Sequence, residues 1–367
     1  MNIFCELSRI SAKLRFKLFR FISILLLGRE GGQSIIGQCI STDLEFANTK
    51  IVRDHILKRN AISGATVQNY QLEHIPECWK AMFCRTIVFP PRYAYVMKDV
   101  AIGPDSGVMF VPPRKLLGGD GVIFIPSVGN HYYFFMRGIQ EVMRKARSIN
   151  EALPVFPMPT IGYYHELLEG LLRVQKAREC FGKIKILVPM IRPKYIDEML
   201  EFIGVAADGI MYSDCPIIVP KGALIPRWSD NLKEDICEFH DYLVSRLPGD
   251  CNGAAKLYIS RARSRRSLPS EHEIEKVLAD KGFSIAYFED MSFVEQLKAI
   301  RAADVIVSPH GAGLSNIIVA KPGTKVVEIM TQGWANSCYG HLASSLGLDY
   351  TCIDAGDGSL IERLTAL

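Results

Sequence analysis

Several kinds of chemistry are missing from this sequence. Its 367 residues hold no Asp-x-Asp pair, the pairing of hard oxygen ligands that suits a divalent cation, so the expected metal is none. Ten cysteines are present but form no C-x-x-C pair and no Cys/His ligand spacing. That excludes a cysteine-based metal module and reads as free, mostly buried thiols of a reducing compartment. No run of about 18 apolar residues occurs, which leaves no clear membrane-spanning helix. Charge of one sign is scarce too: a net +4 over this length argues against nucleic acid as a partner, and any anion must be met by local arginine clusters.

What is there is a globular composition, 49% hydrophobic, on a chain long enough for about two domains. The start is the unusual part. Lys13, Arg15, Lys17 and Arg20 alternate with Leu14, Phe16, Leu18 and Phe19, and Phe21 to Leu27 is apolar. Residues 1–30 therefore read as a basic amphipathic segment, with 1–28 expected to lie on an anionic membrane surface; a core helix and a signal peptide are the alternatives. No small-residue cleavage site follows, since Gly28 precedes Arg29 and Glu30. The expected location is cytoplasmic, peripheral on the inner face of the plasma membrane.

Along the chain, Thr86 to Phe89, Tyr93 to Val96, Val108 to Val111 and Gly121 to Ile125 read as strands, and Asn130 to Ser148 as a helix. Ile161 to Val174 has a helical period that places His165, Glu169 and Arg173 in one row at i, i+4 and i+8, beside a leucine face. Taken alone, that row reads first as an ordinary solvated edge with a Glu–Arg pair. Strand Ile184 to Pro189, helix Tyr195 to Phe202 and strand Pro216 to Val219 continue an α/β pattern. We divide the chain into an N-terminal α/β domain at 31–225, a linker helix and connection at 226–252, and a C-terminal domain at 253–367 whose strands and helices alternate as in a doubly wound sheet.

Two stretches of the C-terminal domain point to an anion. Val305 to Val307 is a buried strand ending in Ser308-Pro309-His310-Gly311, and a helix starts near Gly313. Unpaired N–H groups of Gly311, Ala312 and Gly313 at the carboxyl end of a parallel strand form a phosphate-sized cradle. The loop after strand Leu257 to Ser260 carries Arg261, Arg263, Arg265 and Arg266, four guanidinium groups in six residues. A diphosphate between the two loops meets charge and N–H donors together.

At these residues the sequence resembles glycosyltransferase family 61, which includes bacterial capsule and lipopolysaccharide enzymes and plant and animal members. Three motifs carry the resemblance: Tyr163-Tyr164-His165 with Leu168, Glu169 and Arg173; Tyr258-Ile259-Ser260-Arg261 with Arg265-Arg266; and Ser308 to Leu314, followed by Pro322-Gly323-Thr324 and Glu328. It departs from the family pattern at Glu166, where an aromatic residue usually follows the histidine. The resemblance implies a GT-B-like architecture, two Rossmann-like doubly wound domains facing across a cleft. It also implies an inverting, metal-independent glycosyltransferase of cell-surface polysaccharide synthesis, moving a sugar from a nucleotide sugar, expected to be a UDP-sugar, to a glycan or lipid-linked glycan acceptor. No cofactor beyond the donor substrate is expected. For the chemistry, His165 and Glu169 are the base candidates, His165 first because an imidazole is neutral at pH 7. Arg261, one of Arg265 and Arg266, Ser308, His310 and the Gly311, Ala312 and Gly313 N–H groups would hold the diphosphate, and Glu328 the ribose hydroxyls. The alternatives are a sugar-nucleotide epimerase of the same architecture and a catalytically inactive sugar-nucleotide-binding scaffold.

Overall fold

The computed structural model describes residues 56–63, 66–70, 72–89, 92–107, 109–111, 115–117, 144–158, 162–227, 232–249, 251–264, 266–331 and 336–367. Segment 1–28, the expected strand Gly121 to Ile125, most of the expected helix Asn130 to Ser148, and Arg265 lie outside these residues.

In chain order the strands are β1 (Ile56–Ser63), β2 (Thr66–Tyr70), β3 (Arg85–Phe89), β4 (Arg92–Met97), β5 (Val100–Ile102), β6 (Met109–Val111), β7 (Lys115–Leu117), β8 (Arg147–Ser148), β9 (Val155–Pro157), β10 (Lys185–Pro189), β11 (Ile210–Ser213), β12 (Ile217–Val219), β13 (Ala223–Arg227), β14 (Lys256–Ile259), β15 (Ser284–Ala286), β16 (Val305–Pro309), β17 (Lys325–Met330) and β18 (Asp349–Asp354). The helices are α1 (Glu77–Phe83), α2 (Tyr163–His165 and Leu172–Phe181, around a π-turn Glu166–Leu171), α3 (Lys194–Phe202), α4 (Lys233–Arg246), α5 (Glu271–Asp280), α6 (Phe293–Ala302), α7 (Cys338–Ser345) and α8 (Leu360–Thr365).

The C-terminal half is a parallel sheet of order β15-β14-β16-β17-β18. Counted along the chain that is 2-1-3-4-5, a doubly wound order whose direction reverses between β14 and β16. Its central strands are buried along nearly their whole length. This explains why they read as unbroken apolar runs instead of alternating ones. The crevice outside the carboxyl ends of β14 and β16 is where such sheets bind ligands.

The N-terminal half corrects the expectation of a second doubly wound sheet. Its main sheet, β1-β4-β13-β9-β10-β11, is mixed: β13, β9, β10 and β11 run parallel, while β4 is antiparallel to both β13 and β1. A further sheet, β7-β6-β5-β12-β8, packs around Ile102, Met109 and Ile217. Strand β13 holds the centre of the main sheet across residue 225, where the sequence suggested a linker. Pro226 is the reason it was hard to read, since proline removes a ladder donor and argues against a central strand. The expected helix to Ser148 also ends differently, because Arg147 and Ser148 pair with β12.

One apolar cluster runs through both halves. Leu167, Leu168 and Leu171 of the π-turn share it with Leu314, Ile317 and Ile318. Polar ties cross the same boundary. The Tyr163 hydroxyl donates to Asn316 Oδ1 at 2.6 Å, and the Phe293 N–H at the start of α6 donates to Glu198 Oε2 of α3 at 2.8 Å. Burial holds the Tyr163 hydroxyl far above the usual tyrosine range, so it remains a donor.

His341 of α7 closes the far side. Its Nε2 lies 3.1 Å from the Phe83 carbonyl at the end of α1, and its ring stacks on Tyr70 with centroids 4.0 Å apart. Burial lowers its pKa from 6.5 to about 4. Between those values the unfolded chain holds a proton that the folded one refuses. Stability is therefore full above about pH 6.5 and falls as the pH drops towards 4. The expected loss is about 3 kcal/mol by pH 4. Denaturant titrations across that window should show this slope in the wild type, and a flatter one in His341→Gln, which keeps a donor but does not titrate.

Candidate functional site

The loop after β14 is built on one buried carboxylate. Glu271 opens α5 and is 3% exposed. Its Oε1 accepts from the Tyr258 hydroxyl at 2.7 Å and the Arg261 N–H at 2.7 Å, and its Oε2 accepts from the Leu268 N–H at 3.0 Å. These bonds pin both ends of the arginine loop to the sheet. Nothing in the local sequence flagged Glu271 beyond its place in the first turn of a helix after Pro269 and Ser270, where an acid is common.

The Arg261 side chain then crosses the switch point. Its Nη1 donates to the His310 carbonyl and its Nε to Ser264 Oγ at 3.1 Å. Gly311 is required beside it: a Cβ there would stand 2.6 Å from Nη1 and 2.9 Å from Cζ. Burial, then repulsion from Arg266, lowers the Arg261 pKa. A guanidinium does not deprotonate at neutral pH, so the direction reports a charge partly taken out of water, which Glu271 and Glu289, both beyond ion-pair distance, offset only in part. Among the described residues Arg261 has no ion pair and its Nη2 donates to nothing. Such a charged planar donor has the chemistry that suits an anion.

The rest of the loop divides. Arg266 is exposed and lies within electrostatic reach of Arg261. Arg263 turns away, paired with Asp290 and stacked over the Tyr287 ring at 4.0 Å. Gly311 precedes a 3-10 helix, Ala312–Val319, rather than the α-helix expected; its opening N–H groups at Ala312 and Gly313 still face the carboxyl edge. Gly313 is small for packing reasons as well, since a Cβ there would lie 3.1 Å from Ile259 and 3.3 Å from Phe288.

Two residues placed on the donor side by sequence have other tasks. Ser308 is 2% exposed, and its hydroxyl lies 3.2 Å from the Ile259 carbonyl and 3.0 Å from the Pro309 carbonyl. It joins β16 to β14 instead of reaching a ligand. Glu328 is fully buried, with one oxygen on His310 Nδ1 and the other accepting from the Tyr350 hydroxyl. It cannot accept ribose hydroxyls from there; it aims His310. The parallel register sets this pair, because Ser308 is opposite Glu328 and His310 lies two residues on, on the same face.

Facing this edge is the π-turn of α2. Gly162 opens the helix with φ 144°, a conformation that favours glycine. His165 Nδ1 and Glu169 Oε1 are 2.6 Å apart, with the imidazole 27% and the carboxylate 3% exposed. The row seen in the sequence is thus no solvated edge: Glu169 and Arg173 are both buried. Glu166, the departure from the family pattern, is buried as well. Its Oε1 accepts from the Gly162 N–H at 3.1 Å and its Oε2 from the Tyr195 hydroxyl at 2.5 Å. It fixes how the chain enters α2 and does not face an acceptor.

The two histidines are joined through rings. Tyr164 makes edge contacts with His165 at 5.2 Å and with Tyr339 at 5.7 Å, and Tyr339 lies 5.2 Å from His310. All three motifs therefore meet in one place. Tyr164, Tyr339 and Tyr350 complete it, and the last two carried no local signal because strand and helix pairing alone brings them there. Among the described residues no group of three or more His, Cys, Asp or Glu side chains is placed to hold a metal ion.

The sequence profile of Glycosyltransferase 61 matches residues 122–327. Over 67 residues the chain is 36% identical to "Beta-1,2-xylosyltransferase RCN11" of Oryza sativa subsp. japonica, covering 18% of this chain and 13% of that protein. It is 33% identical over 82 residues to "Beta-1,2-xylosyltransferase" of Arabidopsis thaliana, covering 21% and 15%. It is 30% identical over 127 residues to "Xylan glycosyltransferase MUCI21" of Arabidopsis thaliana, covering 33% and 25%. The matched regions span a quarter or less of these relatives' own lengths.

Gly311→Ala tests the anion cradle directly. The intruding methyl meets the far end of a flexible side chain, so the protein should fold with an unchanged melting temperature while Arg261 is pushed aside. Calorimetric titration with a nucleoside diphosphate should show affinity reduced about 10- to 100-fold, the value of one or two charge-assisted hydrogen bonds. Unaltered affinity would place the anion elsewhere.

Proposed function

The chain belongs to glycosyltransferase family 61, and from that premise we propose that it transfers a sugar from a nucleotide sugar to a hydroxyl of a glycan acceptor with inversion at the anomeric carbon. The observation that carries this reading is the half-buried Arg261 guanidinium at the switch point, without an ion pair among the described residues and joined to the His165–Glu169 pair through His310, Tyr339 and Tyr164. The donor's diphosphate lies against Arg261, Arg266, His310 and the N–H groups from Gly311 to Gly313. Arg265, outside the described residues, remains a candidate for the same role.

Inversion requires attack from the face opposite the leaving group. With the Nδ1–H given to Glu169, the basic lone pair of His165 is on Nε2, which takes the acceptor hydroxyl's proton as the new C–O bond forms. The bond from the anomeric carbon to the diphosphate breaks with its electron pair passing to a phosphate oxygen, and the cationic edge stabilises that charge. Arginine and backbone supply it, so no metal is required. The names of the two xylosyltransferases favour xylose as the sugar moved, and a UDP carrier is part of the proposal. A cell-surface polysaccharide as acceptor, and attachment of residues 1–28 to the cytoplasmic face of a membrane, complete the proposal.

His165→Ala should lower kcat by about 100-fold or more with the donor KM little changed, as for loss of a general base, whereas Arg261→Ala should raise the donor KM. EDTA should leave transfer intact. A His165→Ala enzyme with normal kcat would remove the proposed base, and EDTA inhibition reversed by a divalent ion would remove metal independence.

A further inference from the structure

His310 sits between two charges of opposite sign. Its Nδ1 meets the fully buried Glu328, which also receives the Tyr350 hydroxyl. Its own carbonyl receives Arg261 Nη1, so the guanidinium lies on the same turn as the imidazole. The ring is 12% exposed and its Nε2 engages no described residue. Glu328 accepting an Nδ1–H leaves Nε2 of a neutral ring with a bare lone pair on the diphosphate edge. A phosphate oxygen cannot approach that lone pair without repulsion.

We infer that the diphosphate enters together with a proton: His310 becomes an imidazolium when a nucleotide sugar binds, and Glu328 and Tyr350 are positioning residues for that protonated ring. This deepens the diphosphate reading of the Arg261 edge and rests on it. In the ligand-free site Arg261 and Glu328 act on the ring with opposite sign. With the anion bound, Nε2–H donates to a phosphate oxygen while Nδ1–H stays on Glu328, so the ring is held at both ends.

The other groups around His310 do not take the proton instead. On α7, Tyr339 packs on the ring, and Cys338 lies beside Glu328. On β18 the neighbour is Tyr350. Burial raises all three well above their ordinary values, so they stay neutral donors. On β17 the facing group is Glu328 itself, and on the loop after β14 it is Arg261. A protonated Glu328 beside a ring carrying its hydrogen on Nε2 is the competing arrangement, and it predicts no proton uptake.

The test is calorimetric titration of the whole protein with UDP-xylose at about pH 8, where a free imidazole is neutral, in buffers of low and high ionisation enthalpy. This donor is chosen because its diphosphate has no terminal phosphate to titrate. Wild type should take up about one proton per donor bound, with affinity weakening as pH rises. Glu328→Gln and Tyr350→Phe should reduce that uptake, and His310→Asn should abolish it, with affinity at about pH 8 lowered about tenfold or more. Wild-type binding without proton uptake, or uptake that persists in His310→Asn, overturns the inference and leaves the diphosphate reading standing. Absence of wild-type binding removes both.

Discussion

The site depends on a guanidinium held at a switch point without an ion pair among the described residues. Arg261 reaches from the end of β14 to the carbonyl that ends the β16 turn. That contact is made possible by Gly311, which leaves no atom in its way. A half-buried cation is unfavourable unless something answers its charge, and here the hydrogen-bonding partners are neutral oxygens, with Glu271 and Glu289 acting only from beyond ion-pair distance. The molecule therefore tolerates a local cost at this edge of the sheet. Glu271 makes that tolerable: through backbone N–H groups and the Tyr258 hydroxyl it fixes the loop without pairing with the guanidinium.

The same device recurs on both sides of the site. Each histidine has a buried carboxylate behind its Nδ1, Glu169 for His165 and Glu328 for His310. In each case the carboxylate holds Nδ1 and so sets the orientation of the ring. The elements differ: a π-turn presents the first, and the register of two parallel strands presents the second. A π-turn widens the helix locally and is a frequent feature of functional sites. Here it lets the leucines of α2 remain in the core shared with the C-terminal half while His165 stays partly open.

Much of the C-terminal half was legible in advance. The strand at Val305 stands where its apolar run and breakers place it, and strands and helices alternate after residue 253 as the doubly wound reading expected, because a parallel sheet covered on both faces writes itself as short continuous hydrophobic runs. The N-terminal half was harder. Its strands are short, its central β13 contains Pro226, and its sheet mixes directions, so local period says little about partners.

By itself the sequence determined the residue types and their order: arginines after one strand, a histidine and glycines after another, a histidine and a glutamate one helical turn apart. These are local properties, set by spacing and by which side chains carry charge or N–H donors. Only the tertiary structure decided their duties. It buried Glu328 and Ser308 as supports, turned Arg263 away, made Glu166 a helix anchor and brought Tyr339 and Tyr350 to the site. The reason is that burial and pairing depend on which strand lies beside which, a contact between distant residues that no local pattern records.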